Sequence, residues 1–404
     1  MMLKETIRKI VRSQREDLAL FEKGIKRERL KEIEVNIPFA IVLSGVRRCG
    51  KSTLLRQIMD NVKGFYFFNF EDPRASGFEI NDFEKLDEVF LEEYGEQKYY
   101  FFDEIQNAQK WELFVRAILD KKKHAIITGS NASLLSKELG TRLTGRHLNY
   151  ELFPFSFVEF LKFMNQKPDK KSFEEYFQKG GLPEYLKLSR VEILQELLND
   201  VITRDIVARH GLKNMKIIKD MALFLLTNIG KEFSYNNLRK MFNLGSTNTA
   251  VSFVSYLEDS YLLFTVPKFD YSLKKQQVNP KKIYCIDNGL AFVNSSSFSE
   301  DKGRLLENIV FINLRKNHKD IFYFREKHEC DFIVKDGAKI SEAVQVCLEL
   351  NEENKEREIN GILEALKKFE LNKGVILTYE QEDELKTEGK TIKILPVWKW
   401  LFGK

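Results

Sequence analysis

The chain of 404 residues carries 65 Lys and Arg against 60 Asp and Glu, a net charge of +5, with 43% hydrophobic and 31% charged residues. That is the composition of an ordinary soluble protein, long enough for two or three domains with their own cores. No apolar run approaches membrane-spanning length, which excludes a transmembrane segment, and the mild basic excess permits nucleic-acid contact without arguing for it. Met1-Met2-Leu3-Lys4-Glu5 leads straight into a charged helix, so no signal peptide or membrane partner is expected and the expected location is cytoplasmic. The four cysteines, Cys49, Cys285, Cys330 and Cys347, are scattered, fit no zinc spacing and read as reduced thiols.

Residues 3–32 have helical spacing (Ile7, Ile10, Val11, Leu18) and hold ten Lys and Arg against six Asp and Glu. This reads as an exposed helical arm of mixed charge rather than a DNA-binding arm. Ala40–Ser44 is an apolar run and reads as a buried strand. Gly45-Val46-Arg47-Arg48-Cys49-Gly50-Lys51-Ser52-Thr53 follows it and opens a helix to about Asn61, which is GxxxxGK[ST] in the context that gives the pattern meaning. Gly45 and Gly50 let backbone N–H groups curl around phosphate oxygens, and the helix N-terminus adds partial positive charge. Lys51 can reach β- and γ-phosphates, and Ser52 can offer its hydroxyl to Mg²⁺. Cys49, inside the loop, reads as a passive loop residue before an oxidation-sensitive one.

A second strand is expected over Gly64–Phe70, a helix around 81–94, a strand at 98–103 ending on Asp103 and Glu104, a helix at 108–121, a strand from His124 to Asn131, and another up to Leu152. Strands alternating with helices predict a parallel sheet covered on both faces. Asp103, delivered at a strand's C-terminal end, is placed to hold Mg²⁺ through water beside the phosphate loop, and Glu104 to polarise an attacking water. Ser130 and Asn131 end the next strand, where a polar side chain can orient water or the γ-phosphate, or cap the following helix.

The segments Val42–Thr53, Phe101–Gln106, Ile127–Asn131, Leu143–Arg146 and Leu152–Phe160 together resemble the AAA+-type P-loop ATPase domain of a bacterial and archaeal family in which it is fused to a C-terminal domain of unassigned function. The resemblance covers nearly the whole chain. It implies an ASCE-type core, ATP as the nucleotide, and an arginine reaching a neighbouring subunit's γ-phosphate, for which Arg146 or Arg142 stands in place.

Beyond Phe153 the pattern changes. Helices are expected at 155–164 and 172–190, with a turn at Gly180–Pro183, and over Glu192–Arg209, in a small helical lid. From 215 a winged helix is expected: helices over Met215–Ile229, Tyr235–Met241 capped by Ser234, and Ser246–Leu257, then wing strands Tyr261–Val266 and Lys282–Ile286. The recognition helix offers Asn248 but no Arg or Lys; Lys268, Lys274, Lys275, Lys281 and Lys282 are placed to contact phosphates. From 303, a helix with Glu307, a strand with Asp331 and a strand with Gln345 and Cys347 resemble the layout of PD-(D/E)xK nucleases, with Gln345 and Cys347 where the acid and lysine belong. The expectation is a nuclease shape without DNA cleavage and without a cation at the reacting phosphate.

The expected organisation is an α/β fold. It comprises a P-loop ATPase core at 1–152, a helical lid at 153–212, a winged helix at 213–300 and a nuclease-like α/β module at 301–404. The expected activity is ATP hydrolysis with Mg²⁺ by an oligomer-capable protein, coupled to DNA or to a protein partner. An ATP-gated protein-binding switch without DNA is the alternative, and an ATP-regulated nuclease ranks third.

Overall fold

Five strands, β1 (Ala40–Ser44), β2 (Tyr66–Asn69), β3 (Tyr99–Asp103), β4 (His124–Gly129) and β5 (His147–Glu151), form a parallel sheet in the order β2-β3-β4-β1-β5. The structure, a computed structural model, describes residues 1–20, 22–130, 145–295 and 302–403. The chain divides into two compact units, Met1–Leu152 and Phe153–Lys404.

In the first unit the central strands β1, β3 and β4 are buried along nearly their whole length, while β2 and β5 at the edges are partly exposed. Continuous apolar runs belong in a parallel sheet covered on both faces, and alternation appears only where a face or edge meets water. Tyr66, Phe68, Phe70, Phe83, Phe90, Tyr100 and Phe102 pack into one aromatic core with Trp111 and Val115. Truncating one such ring to alanine costs about 3–5 kcal/mol. Parallel pairing brings the ends of β1, β3 and β4 to one edge, so Gly45, Glu104 and Ser130 emerge side by side.

The N-terminal helix, Lys4–Leu20, is not an exposed arm. Ile7, Ile10 and Val11 are buried in the aromatic core, and Lys4, Arg8 and Arg12 pair with Glu88, Glu92 and Glu93 of the helix Asp82–Tyr94. An amphipathic stripe at helical spacing is a docking face, and the charges flanking it are matched within the same unit.

In the second unit, the helix Phe157–Met164 begins on a capping box of Ser156 and Glu159. The helix Glu192–Asp200 continues as a π-helical stretch, Val201–Ala208, where a plain α-helix is expected. Ser234 and Ser246 cap the helices Tyr235–Met241 and Thr247–Asp259 through the amides of Asn237 and Thr249, as their spacing predicts. Strands β6 (Glu232–Phe233), β7 (Leu263–Pro267) and β8 (Lys281–Cys285) make an antiparallel sheet in the order β6-β8-β7.

The C-terminal part is a mixed six-stranded sheet. Its strands are β9 (Ile321–Arg325), β10 (Glu329–Asp336), β11 (Lys339–Val346), β12 (Lys373–Thr378), β13 (Asp383–Thr387) and β14 (Lys390–Pro396), in the order β13-β14-β12-β11-β10-β9. The helix Lys355–Lys368 packs Ile362, Leu363 and Leu366 against it. β13 is a polar edge strand with no apolar run to announce it, and Trp398 lies in a short helix, Val397–Phe402, begun after Pro396. Among the described residues no helix is long and apolar enough to cross a membrane.

Candidate functional site

The phosphate-type loop leaves β1 through Gly45 and enters the helix Lys51–Met59 through Gly50. Both glycines have positive φ, 154° and 97°. A Cβ at Gly45 would lie 2.2 Å from the Leu152 carbonyl oxygen, and one at Gly50 would lie 2.9 Å from the Arg27 guanidinium. Val46 and Cys49 are buried, Arg47 is half-buried within 3.3 Å of Glu71, and Arg48 is exposed. Burial raises the Cys49 thiol pKa, which fits a passive loop residue.

Lys51 is 4% exposed, and its ammonium donates to the carbonyls of Gly45 (3.1 Å) and Val46 (3.2 Å). It lies 3.7 Å from the Glu104 carboxylate. The Ser52 hydroxyl hydrogen-bonds Asp103, and Thr128 Oγ1 donates to Asp103 Oδ1 at 2.5 Å. The backbone N–H of Glu104 donates to Thr128 Oγ1 at 2.8 Å. Gln106 Nε2 donates to the second Glu104 oxygen. Glu104 sits at φ 49°, a left-handed conformation that costs a non-glycine residue roughly 1 kcal/mol and is common at functional sites. Burial pushes the Asp103 carboxyl up to about 6, with Glu104 adding to the effect and Thr128, Ser52 and Lys51 opposing it. A cavity of about 670 Å³ opens beside Ser52 and Asp103, lined also by Gln14, Arg56, Asn69 and Arg74.

The structure therefore brings together Gly45–Thr53, Asp103 and Glu104. Ser130 is fully buried at the end of β4. Asn131 and Arg142 lie outside the described residues. Arg146 is elsewhere: it precedes β5 at the end that pairs with Ala40, and its guanidinium donates to Asp120 at 2.6 Å. Two residues escape sequence reasoning. Arg27, 3% exposed, donates to the Cys49 carbonyl at 2.7 Å and is anchored by Gln57. Thr128 joins both acids. Only Thr128's place one residue before the strand's end points to it.

A second polar cluster lies in the second unit. Glu307 (helix Lys302–Asn317), Asp331 (β10) and Gln345 (β11) do come together, and the Asp331 N–H donates to Gln345 Oε1 at 3.1 Å. Two expectations are corrected here. Lys282 is no phosphate-contacting wing residue, and the cluster does not lack a cation. Lys282 is 4% exposed, and its ammonium lies 3.0 Å from Glu307, 2.8 Å from Glu329 and 2.9 Å from Asp331. It stands on the central strand of the small sheet, and that strand carries it inward. Burial opposes its charge, but Asp331 and Glu307 outweigh burial and hold its pKa well above the ordinary lysine value. The other basic candidates, Lys274 and Lys275, are exposed, as is Asn248, while Lys268 and Lys281 are half-buried.

Three family descriptions match the chain: an AAA domain over residues 38–161 and two domains of unknown function over 170–299 and 302–400. The uncharacterized protein MJ1544 of Methanocaldococcus jannaschii is 37% identical, over 92% of this chain and 90% of that protein. The chain belongs to the family of that protein. An uncharacterized protein of Haemophilus influenzae is 29% identical over 90% of this chain and 94% of its own length. A second M. jannaschii protein, the uncharacterized MJ1637, is 24% identical over 94% and 88%. Among solved structures, the replication initiator DnaA bound to AMPPCP and single-stranded DNA matches at 14% identity and a TM-score of 0.31, covering 60% of this chain and 91% of that one. AMPPCP-bound DnaA from Aquifex aeolicus matches at 14% and 0.30, over 60% and 90%.

Proposed function

We propose that the first unit binds ATP with Mg²⁺ at Gly45–Thr53 and hydrolyses it. The observation that carries this is the meeting of Lys51, Ser52, Asp103 and Glu104 at one sheet edge, with Ser52 bonded to Asp103 and Lys51 3.7 Å from Glu104. Asp103 is a carboxylate buried short of positive charge, beside a hydroxyl and an open cavity. That donor set suits Mg²⁺, which takes few protein oxygens and keeps its waters. When bound, the ion would supply charge neutralisation to the phosphates. The chain's own residues do the rest. Loop amides and the Lys51 ammonium hold the phosphates, exchanging the carbonyls of Gly45 and Val46 for phosphate oxygens. Glu104, held by Gln106 and its own N–H bond to Thr128, orients a water and accepts its proton.

Glu104→Gln should keep binding of a labelled ATP analogue and lose about 10²–10⁴-fold in turnover. Turnover within a few-fold of wild type would assign the water to another residue.

We further propose that the second unit couples nucleotide state to a partner. The helices Tyr235–Met241 and Thr247–Asp259 with the sheet β6-β8-β7 fit a winged helix, and the terminal sheet fits a nuclease-like shape. Exposed Lys274 and Lys275 favour DNA. Burial of Lys282 and a recognition helix without Lys or Arg favour a protein partner. Stimulation of ATP turnover by DNA, lost in Lys274→Ala/Lys275→Ala, would decide for DNA.

A further inference from the structure

We infer that Lys282 is the resident cation of a carboxylate site, its ammonium filling the place a divalent metal would take among Glu307, Glu329 and Asp331. Two buried carboxylates, Glu307 and Asp331, converge with the partly exposed Glu329 and repel one another; they need positive charge from a metal or from the chain. Here it comes from the chain. An ammonium has three donors, and Lys282 lies 3.0, 2.8 and 2.9 Å from one oxygen of each acid. It hydrogen-bonds Glu307 and Asp331 and pairs with Glu329 through charge.

The oxygens around it are also engaged. Tyr284, two residues along β8 and so on the same face as Lys282, donates to Glu307. The second Asp331 oxygen accepts from the Val346 N–H at 3.0 Å, and the second Glu329 oxygen accepts from Arg325 at 3.2 Å. Gln345 turns its Nε2 away to Glu358 at 2.6 Å. Lys282, Glu307 and Asp331 are each less than a tenth exposed.

Size argues the same way. Mg²⁺ wants oxygens at about 2.0–2.1 Å, so this cage is wide for it by roughly 0.8 Å. Among the described residues no group of three or more His, Cys, Asp or Glu is arranged to hold a metal ion. Because Lys282 comes from the sheet β6-β8-β7 while its partners come from β10 and the helix Lys302–Asn317, the same ammonium ties that sheet to the C-terminal one.

The test is the response of thermal melting to millimolar Mn²⁺, without nucleotide. All proteins carry Asp103→Asn to silence the metal position of the first unit. The Lys282-containing protein should not respond. Lys282→Met should melt lower in chelator and regain several degrees with Mn²⁺, because the opened carboxylates bind the ion only when folded. Adding Asp331→Asn to Lys282→Met should remove that gain. A Mn²⁺-induced rise in the Lys282-containing protein that disappears with Asp331→Asn would overturn the inference. So would a folded Lys282→Met protein that ignores Mn²⁺. If Lys282→Met does not fold, the Lys282-containing protein with and without Asp331→Asn decides alone.

Discussion

Each unit buries a lysine among carboxylates, and the two lysines are held in opposite ways. Lys51 donates to two neutral carbonyls and has one carboxylate at 3.7 Å. Lys282 has three carboxylates within 3.0 Å. An anionic ligand can replace carbonyls as partners at small cost, since they bring no charge to compete. It cannot displace three carboxylates, two of them in charge-assisted hydrogen bonds. On the proposed reading the same side chain is a ligand-binding group in one place and part of the framework in the other, and the charge of its partners decides which.

Lys282→Ala should break this contrast most severely. It leaves the buried Glu307 and Asp331, with the partly exposed Glu329 beside them, against little positive charge, and about 3–5 kcal/mol of stability should be lost. Urea unfolding followed by circular dichroism measures it, and a loss below ~1 kcal/mol would mean the cluster is wetter than described. Lys51→Ala should do the reverse. Stability should change by only ~1 kcal/mol, whereas affinity for an ATP analogue should fall at least ~100-fold, or roughly 2.8 kcal/mol. Fluorescence titration reads the second and the same unfolding curve the first.

Asp103 sharpens the comparison from the acid side. Its carboxyl is held up to about 6 in the folded protein, against 3.8 ordinarily, chiefly by burial. Between those values the folded state binds the proton more readily than the unfolded one, so stability falls as pH rises through that window. A neutral amide at this position would carry no such charge. Asp103→Asn should therefore stabilise the nucleotide-free protein above pH 6 by on the order of 3 kcal/mol, seen as a higher melting temperature. The gain should vanish below pH 4. Melts from pH 4 to 8 test this, and a gain that grows towards acid would refute it. The smallest effect is expected at Arg146. Its pair with Asp120 is largely exposed and worth about 0–1 kcal/mol. Arg146→Ala should slow turnover only if a second copy supplies the guanidinium, which appears as a rate per chain that rises with protein concentration in wild type and not in the variant.

Local signals carry furthest in this sequence. The strands 40–44, 99–103 and 124–129 stand out because a doubly covered strand is an unbroken apolar run. The caps at Ser234 and Ser246 stand out because each bond spans three residues. The loop Gly45–Thr53 and the pair Asp103-Glu104 are legible because phosphate chemistry demands those types at that spacing. What is not legible depends on distant register. Lys282 sits in a basic run, Lys281-Lys282, that reads as surface, and only the pairing of β8 with β6 and β7 turns one lysine inward. Arg27 lies in a stretch of mixed charge, and its bond to the loop crosses 22 residues. The polar β13 is stabilised by its partner β14 and not by a pattern of its own.

That bond from Arg27 has a consequence for the loop. In a trans peptide the C=O and the following N–H point in opposite directions. By drawing the Cys49 carbonyl to itself at 2.7 Å, Arg27 turns the amide hydrogen of Gly50 the opposite way within the peptide plane. A guanidinium that need never touch a ligand thus fixes the aim of a donor. Amides aimed in advance lose little freedom when an anion arrives, and they discriminate by shape, favouring a chain of linked phosphates whose oxygens match the fixed directions over a single small anion.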